Sequence, residues 1–450
     1  MNEPASRLAC SGCGAAPGTE DPYPFRCPRA GNGDVDHVLT KILDTGRVSF
    51  PGGGAAWGEP FARYRGLLHS YHRAVSGGMT DAEFVALVER LDEAVARLDG
   101  HGFTATPFVR SQYLSHALGF EDSGGVWVKD ETHNVSGSHK GRHLMGVLLH
   151  LEVAERLGLA DAAHRPDLAI ASCGNAALAA AIVAAAGGRR LRVFVPVEAN
   201  AGVVRRLTDL GADVVTCPRP PRLAGDPTYA RLREEIAAGA LPFTCQGNEN
   251  GLAIEGGETL VYEMVSDLLA SGTTIDHLVV QVGGGALASS CVQAYAAAVG
   301  LGVLAKSPRA HTVQTQGGHP LERAHGRVAR TLPSDASRED LDRALQEAAT
   351  HKSAYMWPWE KEPRSIAGGI LDDETYDWLA VVGGMLRTGG SAIVVSEERL
   401  VEARKLGQDA GFAVDATGSS GLAGLVDLRS KGVVGPGERV AVLFTGIERE

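Results

Sequence analysis

The chain lacks the marks of a membrane span, a secreted scaffold or a nucleic-acid binder. No apolar run in its 450 residues is long enough to cross a bilayer. The opening MNEPASRLAC has neither the basic start nor the apolar stretch of a secretory signal. Positive charge is short, with 43 Lys and Arg against 54 Asp and Glu and a net charge of -11, which disfavours nucleic acid or an anionic membrane as main partner. Seven cysteines, an odd and mostly scattered set, make no disulfide framework and suit a reducing compartment. The expectation is a cytoplasmic protein that handles a small molecule. Lysine is scarcer still, with eight in the chain, several of them, such as Lys361 and Lys405, beside charged residues.

What is present is an ordinary globular composition, 44% hydrophobic and 22% charged, with 57 glycines and room for two or three domains. The run TDAEFVALVERLDEAVARLD, residues 80–99, has apolar residues at helical spacing behind a capping Thr80. Beyond it, short β-branched runs (VWVK, LAIAS, LRVFVPV, DVVTC, HLVVQVGGG, HTVQTQ, SAIVVS, RVAVLFTG) alternate with alanine-rich helical runs. That alternation predicts βαβ units, hence an α/β fold with mainly parallel sheets. Residues 1–40 read instead as a loop-rich appendage carrying CSGCG and FRCPRAGNGD.

Four stretches carry chemistry. In NVSGSHKGRHLMG, Lys140 stands between small residues where a glycine-serine loop enters a helix; partial desolvation there favours the neutral, nucleophilic amine. In LAIASCGNAALA, Asn175 stands at a strand's carboxyl end, where open α/β sheets place ligands. In HLVVQVGGGALA, Gly283, Gly284 and Gly285 leave bare N–H groups at a helix start, suited to a phosphate. The same stretch fits G-x-G-x-x-A, but the next strand ends in Gln316 where a dinucleotide fold wants an acidic ribose partner. At the end of the chain a buried strand delivers Thr445, whose hydroxyl can serve a heteroaromatic nitrogen. Taken singly, each has a plain reading: a surface lysine, a helix cap, a tight turn and a turn threonine.

Together and in this order they are the parts needed to hold pyridoxal 5'-phosphate. From about residue 103 onward the chain resembles the fold-type II pyridoxal-phosphate enzymes, the tryptophan synthase β-like superfamily, and most of all threonine synthases and threonine/serine ammonia-lyases. The resemblance rests on VWVKDETHNVSGSHKGRHL, SCGNAALA, VFVPVEANAGVVRRLTDLGADVV, AIEGGETLVYEM, VGGGALA, VDATGSSGLAGL and LFTG. It implies two three-layer αβα domains, the larger from residues 41–145 and 226–450 and the smaller from 146–225, and a homodimer. It implies that Lys140 carries the cofactor as a Schiff base and that Asn175 faces its 3'-oxygen. Gly283, Gly284, Gly285, Ala286 and Leu287 hold the phosphate, and Thr445 meets the ring nitrogen. Ser172, with Ser136 and Ser138 of the lysine loop, are the candidates for the substrate carboxylate. Arg142 and Arg364 are candidates for a substrate phosphate.

The implied activity is a lyase or synthase that removes an α-proton and expels a β or γ leaving group, threonine synthase-like on O-phosphohomoserine. The rival readings are a threonine, serine or diaminopropionate ammonia-lyase, a β-replacement enzyme, or a non-catalytic pyridoxal-phosphate-binding protein. Two departures stand out. His139 and Gly141 flank the lysine where the family commonly has Phe and Asp. Cys10, Cys13 and Cys27 resemble the zinc-ribbon start of some threonine synthases, but the fourth cysteine is absent. Asp34, Asp36 or His37 can complete a tetrahedral set; a degenerate ribbon without metal is the alternative.

Overall fold

The computed structural model describes residues 4–52, 58–219 and 225–449. Its strands in chain order are β1 (Ser6–Cys10), β2 (Leu39–Leu43), β3 (Phe108–Ser111), β4 (Gly125–Asp130), β5 (Leu168–Ala171), β6 (Leu191–Pro196), β7 (Asp213–Cys217), β8 (Leu241–Pro242), β9 (His277–Gln281), β10 (Arg309–Thr315), β11 (Ala392–Val395) and β12 (Arg439–Phe444). Six of them form the main sheet, in the order β11-β10-β9-β12-β4-β3. Every pairing in it is parallel except the edge pair β3 and β4. A second sheet, β7-β6-β5-β8, is wholly parallel.

Parallel strands covered by helices on both faces need apolar residues at successive positions, not alternate ones. Val440, Ala441, Val442, Leu443 and Phe444 meet that demand, all buried, as do Leu278, Val279 and Val280. The helix over Asp81–Asp99 starts at a capping box between Thr80 and Glu83 and stops at Gly100 (φ 91°). Its stripe Phe84, Leu87, Val88, Leu91 and Val95 is buried. The helix Lys140–Arg156 is instead buried on nearly every side. It meets the helix Ala253–Ser271 at Gly146 and Gly256, where a Cβ on either glycine would collide with the other helix's backbone.

The second sheet takes in β8, and the helix Pro227–Ala237 packs on it, so this layer runs past the expected boundary at residue 225 to Pro242. β1 and β2 pair antiparallel, tying the cysteine-bearing segment into a ribbon that extends to Leu43. No helix of the described residues is long and apolar enough to cross a membrane.

The topology sets out the site. β9, β12 and β4 are adjacent and parallel, so the loops leaving their carboxyl ends emerge on the same sheet edge. After β9 comes the glycine triplet, after β12 Thr445, and after β4 the loop to Lys140. β5 delivers residues 172–175 from the second sheet.

Candidate active site

The lysine loop is built under strain. Ser136 has φ 62°, the one positive φ outside glycine among the described residues. Its N–H donates to Asp99 Oδ2 at 2.8 Å. Beyond it, Ser138 bridges to Gly446, and the Ile447 N–H donates to the Gly137 carbonyl at 2.9 Å. The segment after β12 therefore clasps the lysine loop, with Lys140 as the first residue of its helix and its side chain partly exposed. The Ser136 and Ser138 hydroxyls lie 3.2 Å apart, both buried. His139 is buried with Nδ1 3.3 Å from the Thr445 carbonyl. Burial first, then the Lys140 charge, holds its imidazole well below the ordinary value, so it is a neutral link and not an acid.

Asn175 opens the helix Asn175–Ala186. Arg449 Nη2 donates to Asn175 Oδ1 at 2.8 Å and to the Ser136 carbonyl at 2.6 Å. Because the guanidinium takes the amide oxygen, Asn175 offers its NH2 to the site, the end that suits an anionic 3'-oxygen. Asn175 Nδ2 reaches to 2.9 Å from where a Cβ on Gly446 would stand, which is why a glycine follows Thr445.

The glycine triplet leads into the helix Ala286–Gly300, with Gly285 at φ 99°. The N–H groups that turn puts at the helix start suit an anion. The Asp372 carboxylate already lies against Gly283 and Gly284, and the Gly284 N–H lowers its carboxyl against a larger burial effect. A Cβ on Gly283 would strike Asp372 and the Ile370 backbone, and one on Gly285 would strike Thr375. Thr375 Oγ1 donates to the Gly283 carbonyl at 2.9 Å. Burial pushes the Asp372 carboxyl up to about 6 and that of Asp377, beside Gly285, up to about 7, and the Lys140 charge opposes both shifts. The same ammonium lowers the Cys245 thiol against a larger burial effect, so the lysine, the triplet and the acidic segment share one electrostatic neighbourhood.

Thr445 is buried, and its Oγ1 accepts from Gln281 Nε2 at 2.6 Å. Of the expected residues, Lys140, Ser136, Ser138, Thr445 and the triplet with Ala286 and Leu287 lie in the loops and helix starts at one edge of the main sheet, and Arg449 joins Asn175 of the second sheet to the Ser136 carbonyl. Ser172 stays in its own turn, where its Oγ accepts from the Gly174 N–H at 3.4 Å.

Two expectations are corrected. Arg142 is wholly buried and donates to Glu131, Thr259, Glu263 and Thr106, so it has no reach to a substrate phosphate. Arg364 is exposed and pairs with Glu362.

Gln281, Asp372, Asp377 and Arg449 were not anticipated. A polar residue inside HLVVQV was the available signal for Gln281, because a buried amide must find partners. The acidic run LDDETYD was the signal for the two aspartates, and Arg449 had none.

A second cluster lies in the ribbon. Cys10, Cys13, Cys27 and His37 bring their ligand atoms within 4.8 Å of one another. Cys13 and Cys27 Sγ are 3.6 Å apart, and Cys10 Sγ is 3.6 Å from His37 Nδ1. Ligand atoms around a tetrahedral zinc, with thiolate bonds of about 2.3 Å, lie roughly 3.8 Å apart, so the set fits a zinc ion. Asp34 is used elsewhere, accepting from Ser353, and Asp36 is buried outside the cluster.

The threonine synthases of Methanocaldococcus jannaschii and Methanosarcina acetivorans are each 24% identical over 343 residues, covering 76% of this chain and 74% of theirs. Diaminopropionate ammonia lyase from Escherichia coli superposes with a TM-score of 0.57 at 16% identity, covering 80% of this chain and 89% of that one. Maize serine racemase gives 0.56 at 18%, covering 81% and 94%, and a threonine deaminase from T.th. gives 0.56 at 20%, covering 80% and 98%. Residues 101–446 match the family described as pyridoxal-phosphate dependent enzyme, and the chain belongs to that family, with pyridoxal 5'-phosphate as its cofactor.

Proposed function

We propose that this enzyme removes the α-proton of a small amino acid with Lys140 and expels a leaving group from its β or γ carbon. What supports this reading is that the loops bearing Lys140, Thr445 and the glycine triplet leave one edge of the main sheet, with Asn175 of the second sheet joined to the lysine loop through Arg449. Lys140 would tether the cofactor, Asn175 would donate to its 3'-oxygen, Thr445 would meet its ring nitrogen and the N–H groups of 283–287 would hold its phosphate. When bound, pyridoxal phosphate would supply an electron sink for the charge left on the α-carbon. Lys140 Nζ, released from the tether, accepts the α-proton and then returns it to the departing group or the product. Ser136 and Ser138 of the lysine loop are the hydroxyls that would orient the substrate carboxylate.

O-Phosphohomoserine, giving threonine and phosphate, is the leading substrate, supported by the two archaeal threonine synthases. A second reading is favoured by one observation: Asp372 abuts the triplet and Asp373 comes directly after it, while Glu374 is offset by Lys352 at 3.5 Å and Arg142 is committed to its own buried acids. Negative charge there opposes a second phosphate and suits an ammonia-lyase acting on threonine, serine or diaminopropionate. A panel of these four substrates, assayed for phosphate, ammonia and 2-oxo acid, decides between them. Release of phosphate from phosphohomoserine supports the first reading; ammonia with 2-oxo acid from the others replaces it; turnover of none rejects both.

Asp372 and the cofactor phosphate want the same N–H groups. Below about 6 the Asp372 carboxyl is protonated and repels nothing; as pH rises through that value it ionises beside the incoming anion. Pyridoxamine 5'-phosphate, which forms no bond to Lys140, isolates the effect. At pH 8, Asp372→Asn should bind it roughly tenfold tighter than wild type, a small part of the repulsion between like charges at such a range. The difference should vanish by about pH 5. Titration by cofactor fluorescence reads it.

The ribbon set is proposed to hold one structural zinc through Cys10, Cys13, Cys27 and His37. Purified protein should carry about one zinc per chain by elemental analysis. Cys27→Ser should lose most of the metal and lower the thermal midpoint while leaving cofactor content intact. Metal-free wild-type protein of unchanged stability rejects the site.

A further inference from the structure

Gln281 ends β9 two residues before the glycine triplet and is buried. Its side-chain NH2 lies 2.9 Å from the Gly418 carbonyl, 3.1 Å from the Leu443 carbonyl and 2.6 Å from Thr445 Oγ1. Two of these three partners are carbonyl oxygens, which only accept, so the amide has one sensible orientation. Flipping it would press Oε1 against both carbonyls. The present orientation leaves Oε1 buried without a partner, against the backbone near Gly421. A buried, unpaired acceptor is destabilising, so the arrangement is held against that cost by what the NH2 end gains.

The consequence falls on Thr445. The NH2 has two protons for three acceptors: the shortest contact, to Thr445 Oγ1, takes one and the two carbonyls share the other. With its oxygen accepting from Gln281, the Thr445 hydroxyl proton must point elsewhere, and it has no other partner among the described residues. We infer that Gln281 is a positioning residue that fixes the Thr445 hydroxyl as a hydrogen-bond donor, so that the cofactor's ring nitrogen is met as an unprotonated acceptor. This rests on the proposed placing of Thr445 at that nitrogen. A neutral pyridine withdraws less charge from the α-carbon than a pyridinium, so the negative charge stays near the reacting bond and favours loss of the leaving group. The strand that carries the phosphate cup thereby also sets the electronic character of the ring, through a residue that does not touch it.

The test is the nitrogen-15 chemical shift of holoenzyme loaded with pyridoxal 5'-phosphate labelled at the ring nitrogen, which separates neutral from protonated pyridine. Wild type should show the neutral form throughout pH 6 to 9. In Gln281→Glu the new carboxylate accepts the Thr445 proton and turns the hydroxyl round. Its ring-nitrogen pKa should rise by at least about one unit, a tenfold change in equilibrium, and kcat should fall while KM stays within about twofold. Should Gln281→Glu not fold, Gln281→Met frees the hydroxyl to rotate, and its shift should move part of the way. Thr445→Ser, which keeps the hydroxyl, should leave the spectrum as in wild type. A protonated ring in wild type overturns the inference, and so does an unchanged shift in whichever Gln281 variant folds. Reductive labelling of Lys140 reports separately on the tether, so failure of the proposed function and failure of the Gln281 role are distinguishable.

Discussion

Replacing Lys140 with alanine lowers kcat/KM by at least about 10,000-fold on whichever amino acid the enzyme turns over, the upper range for loss of one acid-base group. In the proposed mechanism the same residue supplies the tether and the base, so both roles would go at once. Stability should be nearly unaffected, because the side chain is partly exposed at the first turn of its helix. Pyridoxal phosphate should still bind through the cup, Asn175 and Thr445, without a covalent bond to the chain. Steady-state kinetics together with thermal unfolding check this. A Lys140→Ala enzyme that keeps a tenth of wild-type activity removes the mechanism, and one that fails to fold calls for Lys140→Arg under the same measurements.

The largest loss of stability belongs to Arg142→Ala. Arg142 donates to Glu131 Oε2 at 2.8 Å and to Glu263 Oε1 at 2.6 Å, with all three side chains buried, and Lys129 Nζ donates to Glu263 Oε2 at 2.5 Å. Burial alone would raise the Glu131 carboxyl, but the Arg142 and Lys129 charges outweigh it and hold it down to about 2. Removing the arginine leaves two buried carboxylates facing one lysine, a cost of about 3–5 kcal/mol. The pH dependence comes from the depressed carboxyl. Its stabilisation is complete above the unfolded value of about 4.3 and is lost as pH falls toward about 2. The gap between wild type and variant should therefore be widest at neutral pH and narrow in acid, which urea unfolding at pH 7 and about pH 2.5 measures. An equal gap at both values contradicts the network account.

Much of the fold is legible in the chain. Eight β-branched runs become β4, β5, β6, β7, β9, β10, β11 and β12; the clearest, such as β12, lie inside a sheet covered on both faces, where successive positions must be apolar. β3 and β8 left no such trace: one is a four-residue edge strand and the other has two residues. The chemistry-bearing loops are legible for a related reason. Each comes directly after a strand, and parallel neighbours fix which sheet edge they share.

The partners of those loops were not legible, because they come from remote sequence. Arg449 lies 274 residues from Asn175, and Gln281 lies 164 from Thr445. Arg142 looked free to reach a ligand because its loop is rich in small residues; its acids arrive from β4's end and from a helix 121 residues away. In the ribbon, spacing alone left Asp34, Asp36 and His37 equivalent. The path of the backbone turns His37 toward the sulfurs and sends Asp34 to Ser353.

The most direct test of the account is reduction of the pyridoxal-phosphate-loaded enzyme with borohydride, followed by digestion and mass mapping of the pyridoxyl label. The label should fall on Lys140, in the peptide that begins after Lys129, and should be absent from Lys140→Ala. A label on any of the other seven lysines, or none in a protein that holds the cofactor and turns over substrate, would contradict it.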